Sequence, residues 1–198
     1  ANQLGLLVEG RDRALAARAM HALAATGGDT ATLALQQLAT RGHGALRHQA
    51  LAAVGDLGDP ASMTVLRDSL RSGETETAAA AASAMGRAGA LRALTDDDVR
   101  LLLAATERPF PIPMAATYAL ARLASTGRFG GASAGGGPAT AAPLHDVVRD
   151  ALCALLGRRE PHVRANVLVA LGALGHERCG ARLEPAAFMA PPHQLPVR

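Results

Sequence analysis

The feature that most narrows what this chain can fold into is a unit written along it more than once. Residues 45–58, ALRHQALAAVGDLG, lie over residues 162–175, HVRANVLVALGALG, placing Leu46 on Val163, Arg47 on Arg164, Leu51 on Leu168 and Ala53 on Ala170. Val54 then meets Leu171, Gly55 meets Gly172, Leu57 meets Leu174 and Gly58 meets Gly175. Leu23, Val54, Met85, Leu120 and Leu171 hold one equivalent position, at spacings of 31, 31, 35 and 51 residues. Ala19, Ala50 and Ala81 form one small-residue column, Ala22, Ala53 and Ala84 a second, and Gly27, Gly58 and Gly89 a third. A period of this length belongs to helix pairs that cannot hide their apolar faces alone and must stack to share a core.

Composition points the same way. Ala and Leu make up more than a third of the chain, while Trp is absent, Tyr occurs once and Phe three times. Such a mixture favours helix and lacks the usual material of strands, so an all-α fold is expected. Each unit opens with a helix that runs into glycine, a stop signal, and continues after a short turn into a second helix. In the second unit, Asp59-Pro60 makes the break, and Met63, Val65, Leu66 and Leu70 supply the next buried stripe. In the third, Thr95 precedes Asp96, Asp97 and Asp98; the hydroxyl can cap free amides while the acids meet the positive end of a helix. That placement reads the acidic triplet as a helix start and not as a metal site. The alanine columns have a mechanical sense, since small side chains let neighbouring helices approach closely.

The stretch LRHQALAAVGDLGDPASMTVLRDSL, from Leu46 to Leu70, resembles a HEAT repeat, in particular the short bacterial type named after phycocyanobilin lyases. The likeness lies in the apolar-Arg start, the Ala and Leu columns, the Gly-bearing end, the Asp-Pro turn and the Leu-rich second helix. It extends over about residues 11–175. It implies a right-handed α-α superhelix of about five helix pairs, with second helices lining the concave side. It also implies a protein that binds other macromolecules. The Ala-rich, Lys-free composition suits a bacterial, GC-rich genome.

The organisation expected from these signals is a remnant of a preceding helix or cap at residues 1–10, a repeat array at 11–178 and a weakly structured Pro-rich tail at 179–198. A flexible Gly-rich insertion at 126–142, between the two helices of the fourth unit, accounts for the long last spacing. Neither end carries a convincing polar cap, which suits a piece of a longer solenoid or ends that pack on a partner. No apolar run is long enough to span a membrane. Two cysteines, Cys153 and Cys179, are too few to imply a disulfide framework or a zinc site. Reduced thiols and a cytoplasmic setting are therefore the default, with export left open because the first residue is Ala.

All 20 basic residues are Arg, against 17 Asp plus Glu, for a formal charge of +3. The absence of Lys excludes a Schiff-base or P-loop lysine mechanism, and the absence of Trp an indole platform. Deoxyhypusine hydroxylases, which resemble this architecture, bind iron through several His-Glu dipeptides at the start of first helices. Here those places read His48-Gln49 and Ala165-Asn166, and the single His176-Glu177 pair falls beyond its helix. Alkylpurine DNA glycosylases of similar architecture rely on an aromatic cradle, which the lone Tyr118 cannot supply. Cys153 sits in an apolar stripe and reads as core; Cys179, beside Arg178 and Arg182, reads as the more exposed thiol. No catalytic residue, cofactor or metal site is assigned.

The favoured reading is a non-enzymatic scaffold that binds a protein partner through the concave face, with Arg67, Arg71, Arg100 and Arg149 as contacts. An alternative is nucleic-acid binding through a basic rim of Arg41, Arg47, His48, Arg158, Arg159 and Arg164. Those arginines can instead pair with acids such as Asp56, Asp59 or Glu160 in an inter-repeat ladder. A bilin lyase-like enzyme is a minor alternative that rests on the repeat type alone.

Overall fold

The computed structural model describes residues 13–92, 94–127 and 144–175, together with Cys179. Among these residues the chain forms nine α-helices and no strand. They are α1 (Arg13–Thr26), α2 (Asp29–Arg41), α3 (Gly44–Leu57), α4 (Met63–Arg71), α5 (Thr75–Leu91), α6 (Asp96–Ala105), α7 (Ile112–Ser125), α8 (Leu144–Leu155) and α9 (Pro161–Leu174). The odd-numbered helices up to α7, and α9, are the first helices of five repeats; α2, α4, α6 and α8 are second helices. The expected remnant at 1–10, most of the Gly-rich insertion and nearly all of the C-terminal tail lie outside the described residues. Two compact units, residues 1–91 and 92–198, each hold their own core.

In the first unit, α3 packs on α1 and α5 in one layer, α2 meets α4 in the other, and α2 and α4 also lie against α3 and α5. The alanine columns are the reason the first helices can do this. Ala19, Ala50 and Ala81 are at most 3% exposed, and Ala53 and Ala84 are equally hidden, with Leu23, Val54 and Met85 beside them. At Gly55 the fit is tightest: a Cβ there would stand 2.5 Å from the Ala84 carbonyl oxygen. Gly58 ends α3 in the left-handed region at φ 62, returning its amide to the Val54 carbonyl. The chain then turns as expected, with Asp59 accepting from the Ala61 amide and a short 3-10 turn, Pro60–Ser62, leading into α4. Met63, Leu66 and Leu70 are buried, whereas Val65 is only half-buried. The second-helix layer gains a polar tie where Gln36 Nε2 donates to the buried Ser62 hydroxyl at 3.1 Å.

One stop signal is corrected. Gly27 ends α1 at positive φ as Gly58 ends α3, but Gly89 is helical and buried, and α5 runs through it to Leu91. Ala90 and Leu91 come after it and favour helix, whereas Asp59-Pro60 comes after Gly58 and cannot continue one.

In the second unit, α7 packs on α6 and α9, and α8 lies against α6 and α9. The start of α6 is a full capping box: Thr95 Oγ1 accepts from the Asp98 amide at 3.2 Å and Asp98 Oδ2 accepts from the Thr95 amide at 3.1 Å. The third acid of the triplet thus serves the helix end, which accounts for a carboxylate only 2% exposed. Val99, Leu102, Ile112, Ala116, Ala119, Leu120, Val148, Leu152, Val163, Val167 and Leu171 form the core.

The cysteines depart from expectation. Cys153, on α8, and Cys179 form a disulfide with Cα atoms 5.3 Å apart, and Cys179 is 4% exposed instead of being the accessible thiol. Spacing along the chain gave no sign of a contact between α8 and a residue beyond α9. Closing a loop of this length contributes about 3.5 kcal/mol to stability in a chain-entropy treatment.

The alanine and glycine columns make a direct test. Gly55→Ala is expected to lower stability by about 1–3 kcal/mol through overpacking against Ala84. At its repeat equivalent Gly172 a Cβ would meet nothing within 4 Å, so Ala is expected to be tolerated there with no loss or a gain of up to about 1 kcal/mol. Urea unfolding midpoints of the two variants check this.

Candidate interaction surface

Several polar residues on the first helices are engaged with neighbouring elements of the fold. Arg47, in the first turns of α3, donates from Nε to the Ala39 carbonyl at 3.0 Å and from Nη1 to Glu74 Oε2 at 3.1 Å. Ala39 lies in the last turn of α2, so the guanidinium satisfies a carbonyl at the negative end of that helix. Arg164, its repeat equivalent on α9, is 7% exposed and donates from Nη1 to the carbonyls of Arg158 at 2.9 Å and Arg159 at 3.0 Å. The recurring Arg is therefore a staple between each of these first helices and the backbone that precedes it.

His48 joins the same cluster. The buried Thr77 hydroxyl donates to Glu74 Oε2 at 2.8 Å, and His48 Nε2 lies 3.3 Å from that hydroxyl. A hydroxyl has one proton to give, so His48 Nε2 is the donor in its contact, and the tautomer is set. In the second unit Asn166 does similar work from α9, donating to the Met114 carbonyl at 3.1 Å and to Thr117 Oγ1 at 3.3 Å.

The six expected rim residues thus fall into two groups. Arg47, His48 and Arg164 are engaged within the fold, and Arg158 makes a two-pronged contact to Glu160, with Nε to Oε2 at 3.3 Å and Nη2 to Oε1 at 3.1 Å. Arg47 is thus shared between the Ala39 carbonyl and Glu74, and Arg164 is directed to the Arg158 and Arg159 carbonyls. Arg41, in the last turn of α2, and Arg159 are exposed. A charge ladder does exist at Asp56, although other residues build it: Arg87 Nε stands 2.9 Å from Asp56 Oδ1 and His21 Nδ1 stands 3.8 Å from Asp56 Oδ2. Arg87 and Asp56 occupy equivalent positions one period apart, so opposite charges in one repeat column were the signal that could have found the pair.

The second helices carry the other candidates. Arg71 and Arg100 are exposed, the first of them 3.8 Å from Asp68 on the same helix. Arg67 is half-buried on α4, and Arg149, with a side chain 13% exposed, donates to Asp146 one turn earlier on α8. Of the four, Arg71 and Arg100 present their charge outward. Tyr118, 38% exposed, accepts from Arg122 Nη1 at 3.3 Å.

Glu160 shows how the local electrostatics are arranged. Backbone hydrogen bonding at its own position, then the Arg158 guanidinium, hold its carboxyl below the ordinary value of 4.5. A depressed carboxyl stabilises the fold above its ordinary range, and that contribution is lost as pH falls through 4.5 and below.

Comparison with known proteins places these features. Residues 3–86 match the family described as HEAT repeats. No curated protein sequence matches the chain. Among solved structures, human deoxyhypusine hydroxylase in complex with glycerol is similar at 19% identity and a TM-score of 0.54, covering 94% of this chain and 88% of that one. A designed armadillo repeat protein is similar at 16% identity and a TM-score of 0.54, covering 97% and 93% of the two chains. An engineered protein gives 20% identity and a TM-score of 0.53 over 87% of this chain and 78% of its own. At these identities the likeness is one of fold, an all-helical repeat of the HEAT and armadillo kind.

Among the described residues, the repeat positions at issue do not carry the paired His and Glu donors of a di-iron centre. His48 is followed by Gln49 and is bonded to Thr77, and its repeat equivalent is Ala165 followed by Asn166, an amide committed to Met114 and Thr117. Among the described residues no group of three or more His, Cys, Asp or Glu is placed to hold a metal ion. His176-Glu177 lies outside the described residues. No helix among those described is long and apolar enough to cross a membrane.

Two measurements check this assignment of roles. Arg164→Met is expected to lower stability by about 2 kcal/mol, because two carbonyls lose a charged donor, whereas Arg159→Gln stays within about 0.5 kcal/mol of the parent. In a pH series of thermal unfolding, Glu160→Gln is expected to flatten the loss of stability between about pH 5 and pH 3, leaving values at neutral pH changed by less than about 1 kcal/mol.

Proposed function

We propose that the protein is a non-enzymatic HEAT-repeat scaffold that binds an acidic surface of a protein partner through its second helices. The observation that carries this reading is that several first-helix polar residues hold neighbouring elements of the fold, while Arg71 and Arg100 on second helices are exposed. First helices use Arg47, His48, Thr77, Asp56 and Arg87 in one unit, and Arg164 and Asn166 in the other, to hold neighbouring elements. Second helices leave Arg71 and Arg100 outward, on rigid elements able to meet carboxylates with two parallel hydrogen bonds. Arg67 and Arg149 belong to the same class of helix, one in each unit. The likeness to a designed armadillo repeat protein supports a binding architecture. Likeness of fold to deoxyhypusine hydroxylase supports no activity here, because the residues at the corresponding repeat positions are Gln49 and Asn166, not carboxylates.

The test is affinity capture from lysate of the source cells with the parent chain, Arg71→Glu and Arg100→Glu, followed by quantitation of each captured protein. At least one specific partner is expected to fall by tenfold or more with a reversal, an effect of about 1.4 kcal/mol. Capture unchanged for every partner by both reversals rejects the second-helix surface. Salt-sensitive nucleic-acid binding weakened by Arg41→Glu and Arg159→Glu would favour a surface built on the remaining rim arginines instead.

A further inference from the structure

We propose that the Cys153–Cys179 disulfide is a redox latch that ties the chain beyond α9 back to the last turn of α8 and so holds the end of α9 in place. The polar anchors of α9 are all in its first half. Arg164 grips the Arg158 and Arg159 carbonyls, and Asn166 grips Met114 and Thr117. The second half has apolar contact on one side, through Ala170, Leu171 and Leu174, while Val169 is 40% exposed and Gly172 and Ala173 are open to solvent. No hydrogen-bonded side chain among the described residues secures that half. It is secured instead by a covalent bond from α8 to a residue just past the helix end, closing a loop that contains the whole of α9.

Both sulfurs lie in residues no more than 5% exposed. A thiolate can attack only when this end opens, so the latch releases slowly and its release reports local opening. In reduction, an external dithiol gives two electrons and two protons: the Cys153–Cys179 bond breaks to two thiols and the dithiol closes to its own disulfide. In the reverse step, an exchangeable disulfide accepts the electron pair and protons as the bond re-forms. The chain is thereby matched to a setting that supplies such an oxidant, and the first helix of its fifth repeat is loosened where dithiols prevail.

The full chain, purified without reductant, tests this. Alkylation under denaturing conditions without reductant is expected to label no cysteine, and labelling of both rejects the latch, as does a disulfide-linked dimer on a non-reducing gel. After reduction with dithiothreitol, amide exchange is expected to quicken at least tenfold in residues 169–174 and to stay unchanged in α1–α5, with an apparent Tm lowered by about 10 °C or more. Cys179→Ala is expected to match the reduced parent and to be insensitive to reductant. Should that variant fail to fold, the reduced parent decides alone. Exchange in residues 169–174 unaltered by reduction overturns the proposal.

Discussion

Everything in the first unit depends on how closely one first helix can approach the next. Gly55 on α3 faces the backbone of α5 at Ala84 with no room for a methyl group, and the buried columns through Ala50, Ala53, Ala81 and Ala84 continue that approach along the seam. Dispersion and apolar burial then act over short side chains, so much of the attraction comes from helix backbones brought near one another. Large residues such as Leu51, Leu66 and Met85 fill the space between the layers, where there is room for them. The excess of Ala and Leu is thus a division of labour between seam and interior.

Given that approach, polar groups near the seam must find partners inside the fold. Arg47 and Arg164 answer the carbonyls of the preceding backbone, while Asp56, Arg87 and His21 pair across successive first helices. The partly buried charges of Arg47, Asp56, Arg87 and Arg164 each have a partner within the fold, as burial requires.

The fold was legible because a repeated column reports on packing directly: Val54 and Leu171 are buried for the same reason, and Thr95 caps α6 with the acid three residues on. Gly89 misled because a glycine stops a helix only when the residues after it cannot continue one. The candidate surface was less legible. Arg47 and Arg159 look alike in a sequence, and only the direction of each side chain separates a staple from an exposed charge. The cysteine pairing was hidden for a related reason, since it depends on the reversal of chain direction between α8 and α9 and no local pattern encodes it.

The seam geometry also bears on how the chain reaches its fold. In each unit a helix packs on elements near it in sequence, such as α3 on α1, α2 and α5, or α9 on α7 and α8. Few long loops must close before packing begins, and either unit holds enough buried residues to serve as a nucleus. Contacts between helices adjacent or one apart in the chain are the kind expected to favour fast folding.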